Sequence, residues 1–134
     1  MLNTFPALLS FGILAPTILR ITSGLIFAYF GWLKLTKDKQ SKIAFFDTVG
    51  LRPAKFFLYL VALTELFVGV TLAVGFLTQI SAIVASFIMF VSILIKLMKP
   101  KALPNTTDFY ILFFIVFLSL IFSGAGIFAF DLPL

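Results

Sequence analysis

The chain reads as an all-α integral membrane protein, an up-and-down bundle of four antiparallel helices with a short interfacial segment between the first and second. Three observations predict it. Of the 134 residues, 62% are hydrophobic and 11% charged, with a mean hydropathy of +1.21, a composition that would give a soluble domain large exposed apolar patches. The apolar residues fall into four continuous runs, each long enough at roughly 1.5 Å per residue to cross a hydrocarbon core of about 30 Å. Nine of the ten basic residues gather at two of the three connections between those runs, as in proteins oriented by cytoplasmic lysine and arginine. A β-barrel is the other way to satisfy backbone groups in lipid, but its strands alternate and span only about 10 residues.

The whole of 1–134 is one membrane domain, and its elements follow in order. The first span is placed at 16–35: Pro16 suits a helix start, and the apolar run stops at the lysines of "KLTKDKQSK". The residues before it, with Pro6 and Gly12, read as a lead-in at the interface. Arg20 is the first charge of the chain, so the basic segment that opens a cleaved signal is missing and the first span is expected to be retained. In "KIAFFDTVGLRP" the residues Ile43, Phe46 and Val49 recur at helical spacing, which predicts a short amphipathic segment on the cytoplasmic surface. The alternative is a solvated loop interrupted by Gly50 and Pro53. The second span is placed at 56–77 and the third at 80–97, divided by the uncharged turn "LTQI"; so short a link makes them antiparallel neighbours. The fourth is placed at 108–124, with Thr107 as N-cap candidate and the glycines of "SGAGIF" at its end.

Lys34, Lys37, Lys39, Lys42, Arg52 and Lys55 flank the first connection and Lys96, Lys99 and Lys101 the third, against Arg20 alone on the other side. The expected orientation in the inner or plasma membrane therefore has both of these connections in the cytoplasm and both termini outside. Trp32, Tyr59 and Tyr110 would sit near the cytoplasmic ends of their helices, where amphipathic rings collect. The net charge of +5 points to anionic lipid headgroups rather than nucleic acid, because the basic residues flank apolar spans.

The chain has no cysteine and no histidine, which excludes disulfides, thiol relays, iron–sulfur clusters and histidine-ligated haem or zinc. No metal site is expected, and any electron carrier must be borrowed. What remains is a set of intramembrane charges: Arg20, Lys34, Glu65, Asp108 and Asp131. Arg20, Gly24, Phe27, Gly31 and Lys34 follow one another at intervals of 4, 3, 4 and 3, a single stripe that should face other helices. Glu65 lies near mid-span with Leu58, Ala62, Gly69 and Phe76 on its face. A bare carboxylate there costs several kcal/mol, so it must be paired, hydrated or protonated. Arg20 is the partner by charge. Yet Arg20 stands only about 6 Å below the outer end of its helix and Glu65 some 16 Å from that side, so Arg20 can also turn outward to Asp131, leaving Glu65 to serine, threonine or water. At the other end Lys34 and Asp108 lie at similar depth and could pair, unless Asp108 merely answers the helix dipole. Gly24, Gly31, Gly69, Gly75, Gly124 and Gly126 are read as packing glycines. Ser81, Ala82, Ala85 and Ser86 give the third span two overlapping pairs of small residues for close packing. A cleft lined by Glu65, Phe67, Tyr59 and Trp32 could hold a quinone or a lipid.

The stretches "LAPTILRITSGLIFAYFGWLKL", "FFDTVGLRPAKFFLYLVALTELFVGVTLAVGFLTQISAIVA" and "SGAGIFAFD", in that order and spacing, resemble the DoxX family of small four-span membrane proteins. The likeness extends over residues 14–131 and includes the turn glycine and threonine, Gly75 and Thr78, and the closing aspartate, Asp131. Ala129 stands where the family often has serine. The resemblance implies a four-helix bundle associated with membrane oxidoreductase systems, as a small subunit of quinone-linked thiosulfate oxidation or of oxidative-stress complexes. The leading expectation is thus an accessory or anchoring subunit beside a soluble or membrane oxidoreductase, supplying binding and proton delivery rather than acting as an enzyme alone. The alternatives are a structural or lipid-binding membrane protein without catalytic activity, or a small proton-coupled transporter with Glu65 as carrier.

Overall fold

A computed structural model describes residues 4–37, 39–50, 52–101, 103 and 105–131. Among the described residues every regular element is helical: a 3₁₀ turn at Pro6–Phe11, then α1 (Leu14–Leu35), α2 (Lys39–Thr48), α3 (Ala54–Val74), α4 (Thr78–Met98) and α5 (Thr107–Ser123). The helices α1, α3 and α4 are long and apolar enough to cross a membrane. At 17 residues α5 is apolar but shorter. Gly124 stops it by taking φ +75°, a conformation that side chains bearing a Cβ avoid.

Helix ends differ from expectation by a few residues, each for a local reason. α1 begins at Leu14 rather than Pro16; Pro16 is still in the first turn, where its missing N–H has no intrahelical partner to lose. α3 ends at Val74, three residues early, because Gly75 turns left-handed at φ +83°. The N–H of Gly75 then bonds the Leu72 carbonyl at 3.1 Å and that of Phe76 the Thr71 carbonyl at 2.9 Å, the hydrogen-bonded close of a helix on glycine. The turn between α3 and α4 is therefore Gly75–Leu77, not "LTQI", and Phe76 leaves the face of Glu65 to stand exposed.

The link between α1 and α3 is helical over Lys39–Thr48. Its apolar face is satisfied by α3: Phe46 is buried with Ala54 and Leu58, and Ile43 and Val49 pack against them. Gly50 follows at φ +84°.

α1 and α3 form the tightest seam. A Cβ on Gly24 would stand 2.7 Å from the Ala73 nitrogen, one on Gly31 would stand 2.7 Å from the Ala62 oxygen, and one on Gly69 would stand 2.6 Å from the Gly24 oxygen. The backbones thus touch, and the register runs antiparallel. The second close pair is α4 with α5. Buried Phe27 joins the two pairs, meeting Phe117 edge to face with ring centroids 5.2 Å apart. On α4 the small residues Ala82 and Ala85 are enclosed in this core, and the Ser81 hydroxyl meets that of Thr71 on α3 at 2.8 Å. Outside, leucine, isoleucine and phenylalanine side chains such as Leu25, Leu63, Phe87 and Leu97 stand exposed, a surface suited to lipid.

Candidate functional site

Buried charge collects in two places. In the first, Arg20 is 0% exposed, and each of its five N–H donors finds a backbone carbonyl. Nε donates to Ala125 at 2.9 Å; Nη1 to Leu72 at 2.9 Å and Ala73 at 2.7 Å; Nη2 to Ile127 at 3.2 Å and Phe128 at 2.9 Å. Leu72 and Ala73 are in the last turn of α3, the negative end of its dipole, where a cation is favoured. The other three belong to the segment after α5. One turn earlier, Thr17 Oγ1 accepts from the Ile127 N–H at 2.9 Å and donates to the Ile127 carbonyl at 3.0 Å. Gly126 is needed here: at φ +72° a Cβ would come within 3.0 Å of the Ile13 oxygen.

Neither expected partner of Arg20 is bonded to it. The α1–α3 register puts Arg20 opposite Leu72, seven residues and so about 10 Å along the helix from Glu65. Asp131 is committed to α4. Its Oδ1 accepts from the Leu77 N–H at 2.9 Å and its Oδ2 from the Thr78 N–H at 2.6 Å, while its own N–H bonds the Gly75 carbonyl at 2.8 Å. α4 opens with Leu77 at φ +50° and no side-chain cap of its own, so an aspartate 53 residues downstream of Thr78 takes the place of a local N-cap. Burial pushes the Asp131 carboxyl up, but the hydrogen bonds at Thr78 and Leu77 and the nearby Arg20 charge outweigh it and hold the group below the ordinary carboxylate range.

In the second place, Lys34 on α1 donates to Glu65 Oε2 on α3. Glu65 is 3% exposed. The expectation that Lys34 reaches Asp108 fails because helical side chains lean toward the N-terminus, carrying the ammonium about one turn back to the level of the carboxylate. Asp108 is exposed in the first turn of α5, where the dipole favours it.

The pair stands in the wall of a cavity of about 410 Å³, lined by residues of α1 to α5 and of the connection before α5. Phe30, Phe45, Phe87 and Met89 give it apolar walls; Ser92, Asn105 and Tyr110 add neutral polar groups, and Lys42 lies 6.0 Å from the centre of the Phe45 ring. Of the residues read from the sequence as cleft lining, Glu65 is there. Trp32 and Phe67 are on the outside, 55% and 67% exposed, and Tyr59 does not line the cavity either. Their positions along the helices did not say which face each side chain takes. Of the packing glycines, Gly24, Gly31 and Gly69 sit in the α1–α3 seam, and Gly75 meets Ala129 and the Arg20 guanidinium. Gly124 has nothing within 4 Å of an added Cβ; it ends a helix rather than packing one. Among the described residues no group of histidine, cysteine or carboxylate side chains could hold a metal. The cavity instead offers an ammonium, a carboxylate and hydroxyls in apolar surroundings, able to anchor a polar head and pass it a proton.

The family model for DoxX matches residues 15–97, from α1 to the end of α4 and more than half of the chain. The chain belongs to the DoxX family. No curated protein and no solved structure matches it. The matched region of this DoxX membrane protein carries Arg20, Lys34 and Glu65, whereas Tyr110, the carbonyls at 125–128 and Asp131 lie beyond it.

Proposed function

We propose that this DoxX protein is an accessory or anchoring subunit of a quinone-linked membrane oxidoreductase, and that a quinone headgroup occupies the cavity beside Lys34 and Glu65. The observation that carries this reading is the ion pair in the cavity wall. A desolvated Lys–Glu pair contributes little net stability compared with apolar side chains of similar volume, and an ionisable residue within a membrane span is a functional candidate by default. A cavity of about 410 Å³ is within the range of small-molecule sites. The ammonium of Lys34 can donate to one quinone oxygen and the hydroxyl of Tyr110 to another. With no cysteine or histidine, the chain contributes binding and proton delivery while a partner subunit supplies the electrons.

In this reading α5 is the fourth span of an up-and-down bundle in the cell membrane. The lysines around α2 and after α4 are cytoplasmic and the Arg20 end faces outward. The decisive experiment is purification in mild detergent, followed by solvent extraction and identification of bound proteins. Quinone absorbance in the extract and a co-purifying oxidoreductase support the reading, and Glu65→Gln should retain the partner but lose the quinone. A wild-type preparation with neither overturns it. A second reading, a structural membrane protein whose charges fix helix register, is favoured by Arg20, whose donors are all spent on the backbone.

A further inference from the structure

A groove outside the cavity remains, formed where α2 meets the chain leaving α4. Lys99, Lys101, Ser41 and Thr48 give it polar walls and Phe45 and Pro100 apolar ones. Among the described residues, the charged side chains that line it are lysines; Asp47, on the same short helix, is engaged with Arg52 at 3.2 Å. The groove is built rather than incidental. Lys96 donates to the carbonyls of Pro100 at 2.7 Å and Leu103 at 2.9 Å, fixing the course of the chain after α4. Lys99 donates to the carbonyl of Thr48 at 2.7 Å, tying α2 to that chain. An ammonium has three donors, so two N–H groups of Lys99 remain for a ligand, and Lys101 is exposed beside it.

We propose that this groove binds the phosphate of an anionic phospholipid. Two cations, with no carboxylate among the described lining residues, suit a phosphodiester. The location selects a lipid over free phosphate: Leu97 and Met98, the last residues of α4, are 65% and 78% exposed, so acyl chains can lie along the helix whose end holds the headgroup. Phe45 belongs to both groove and cavity, so a lipid seated here holds α2 as a wall of that cavity. The site stands apart from the quinone reading and is tested without it.

The test is native mass spectrometry of the full chain in mild detergent with added phosphatidylglycerol or phosphatidylcholine, and with phosphatidylglycerol in competition with inorganic phosphate. Phosphatidylglycerol should be retained about tenfold over phosphatidylcholine. Lys99→Gln/Lys101→Gln should lose that retention by about 25-fold, at about fivefold per lysine, while Lys37→Gln leaves it unchanged. Lys101→Gln removes no hydrogen bond within the protein and should show the fivefold loss with an unchanged melting temperature, which separates binding from folding. Equal retention of the two lipids overturns the proposal, as does full retention by the double variant. Displacement by millimolar phosphate shows a free-phosphate site and overturns it equally.

Discussion

Arg20 and Lys34 sit four steps of the same stripe apart on α1, one buried and the other half-buried, and the protein treats them in opposite ways. Arg20 spends all five donors on carbonyls of two chain segments, the last turn of α3 and residues 125–128. Lys34 gives one bond to one carboxylate and faces a cavity. A guanidinium whose every N–H is matched by a fixed backbone oxygen has no capacity left for a ligand, so it is architecture. An ammonium paired with an acid beside a void keeps donors in reserve for whatever fills the void. Burial of charge alone does not mark a site; unspent hydrogen-bonding capacity does.

The strongest way to break that contrast is Arg20→Ala. It removes one donor from each of five carbonyls at once and loosens the 125–128 segment, which keeps its bonds to Thr17; since a hydrogen bond to a charged group is worth about 1.5–3 kcal/mol, the loss should exceed about 4 kcal/mol, read as failure to fold or a collapse of the denaturation midpoint. Arg20→Lys, with three donors in another geometry, should recover only part of it. Next comes the Lys34–Glu65 pair. Lys34→Met alone strands a buried carboxylate and should cost about 3–5 kcal/mol, whereas Lys34→Met/Glu65→Leu should return to within about 1 kcal/mol of the parent and retain no quinone. A double variant as unstable as the single would make this pair architectural too.

A smaller effect is expected at the trans cap. Asp131→Asn should cost about 1 kcal/mol by weakening the seat of the α4 N-terminus, and the cost should depend on pH. Because the folded Asp131 is held below its ordinary range, its contribution is complete above the unfolded aspartate value of about 3.9 and disappears as pH falls through the lower folded value. Denaturation midpoints of the parent and Asp131→Asn should therefore differ from pH 5 to 8 and converge in acid. The smallest change should be Thr71→Val, which removes the hydroxyl contact with Ser81 for about 0.5 kcal/mol and leaves both charge clusters in place.

Much of the architecture was legible in the sequence because lipid makes the rules simple. Apolar runs of this length must be helical, and the stripe of Gly24 and Gly31 could only serve a close neighbour, which proved to be α3 through Gly69. The triplet Ile43, Phe46 and Val49 showed that the first connection had an apolar face. Nothing in the sequence said that α3, rather than the membrane surface, would take it. The cavity was half visible. Glu65 stood out as an acid among leucines, but Phe45, Ser92, Asn105 and Tyr110 looked like ordinary loop, helix and interface residues until five helices brought them together.

What the sequence by itself determined is a helical membrane protein of the DoxX family with a few charges that must be hidden. Composition and period suffice for the helices and the hidden charges, because the cost of exposing polar groups to hydrocarbon exceeds anything local chemistry can offset; the family rests on the resemblance of the motifs and the family match. Which charge meets which partner was settled only by the tertiary structure. Pairing depends on helix register and on how far a side chain reaches, quantities of a few ångströms that are fixed when Gly24 and Gly31 of α1 close on α3 and when residues 125–131 fold back onto Arg20 and the start of α4.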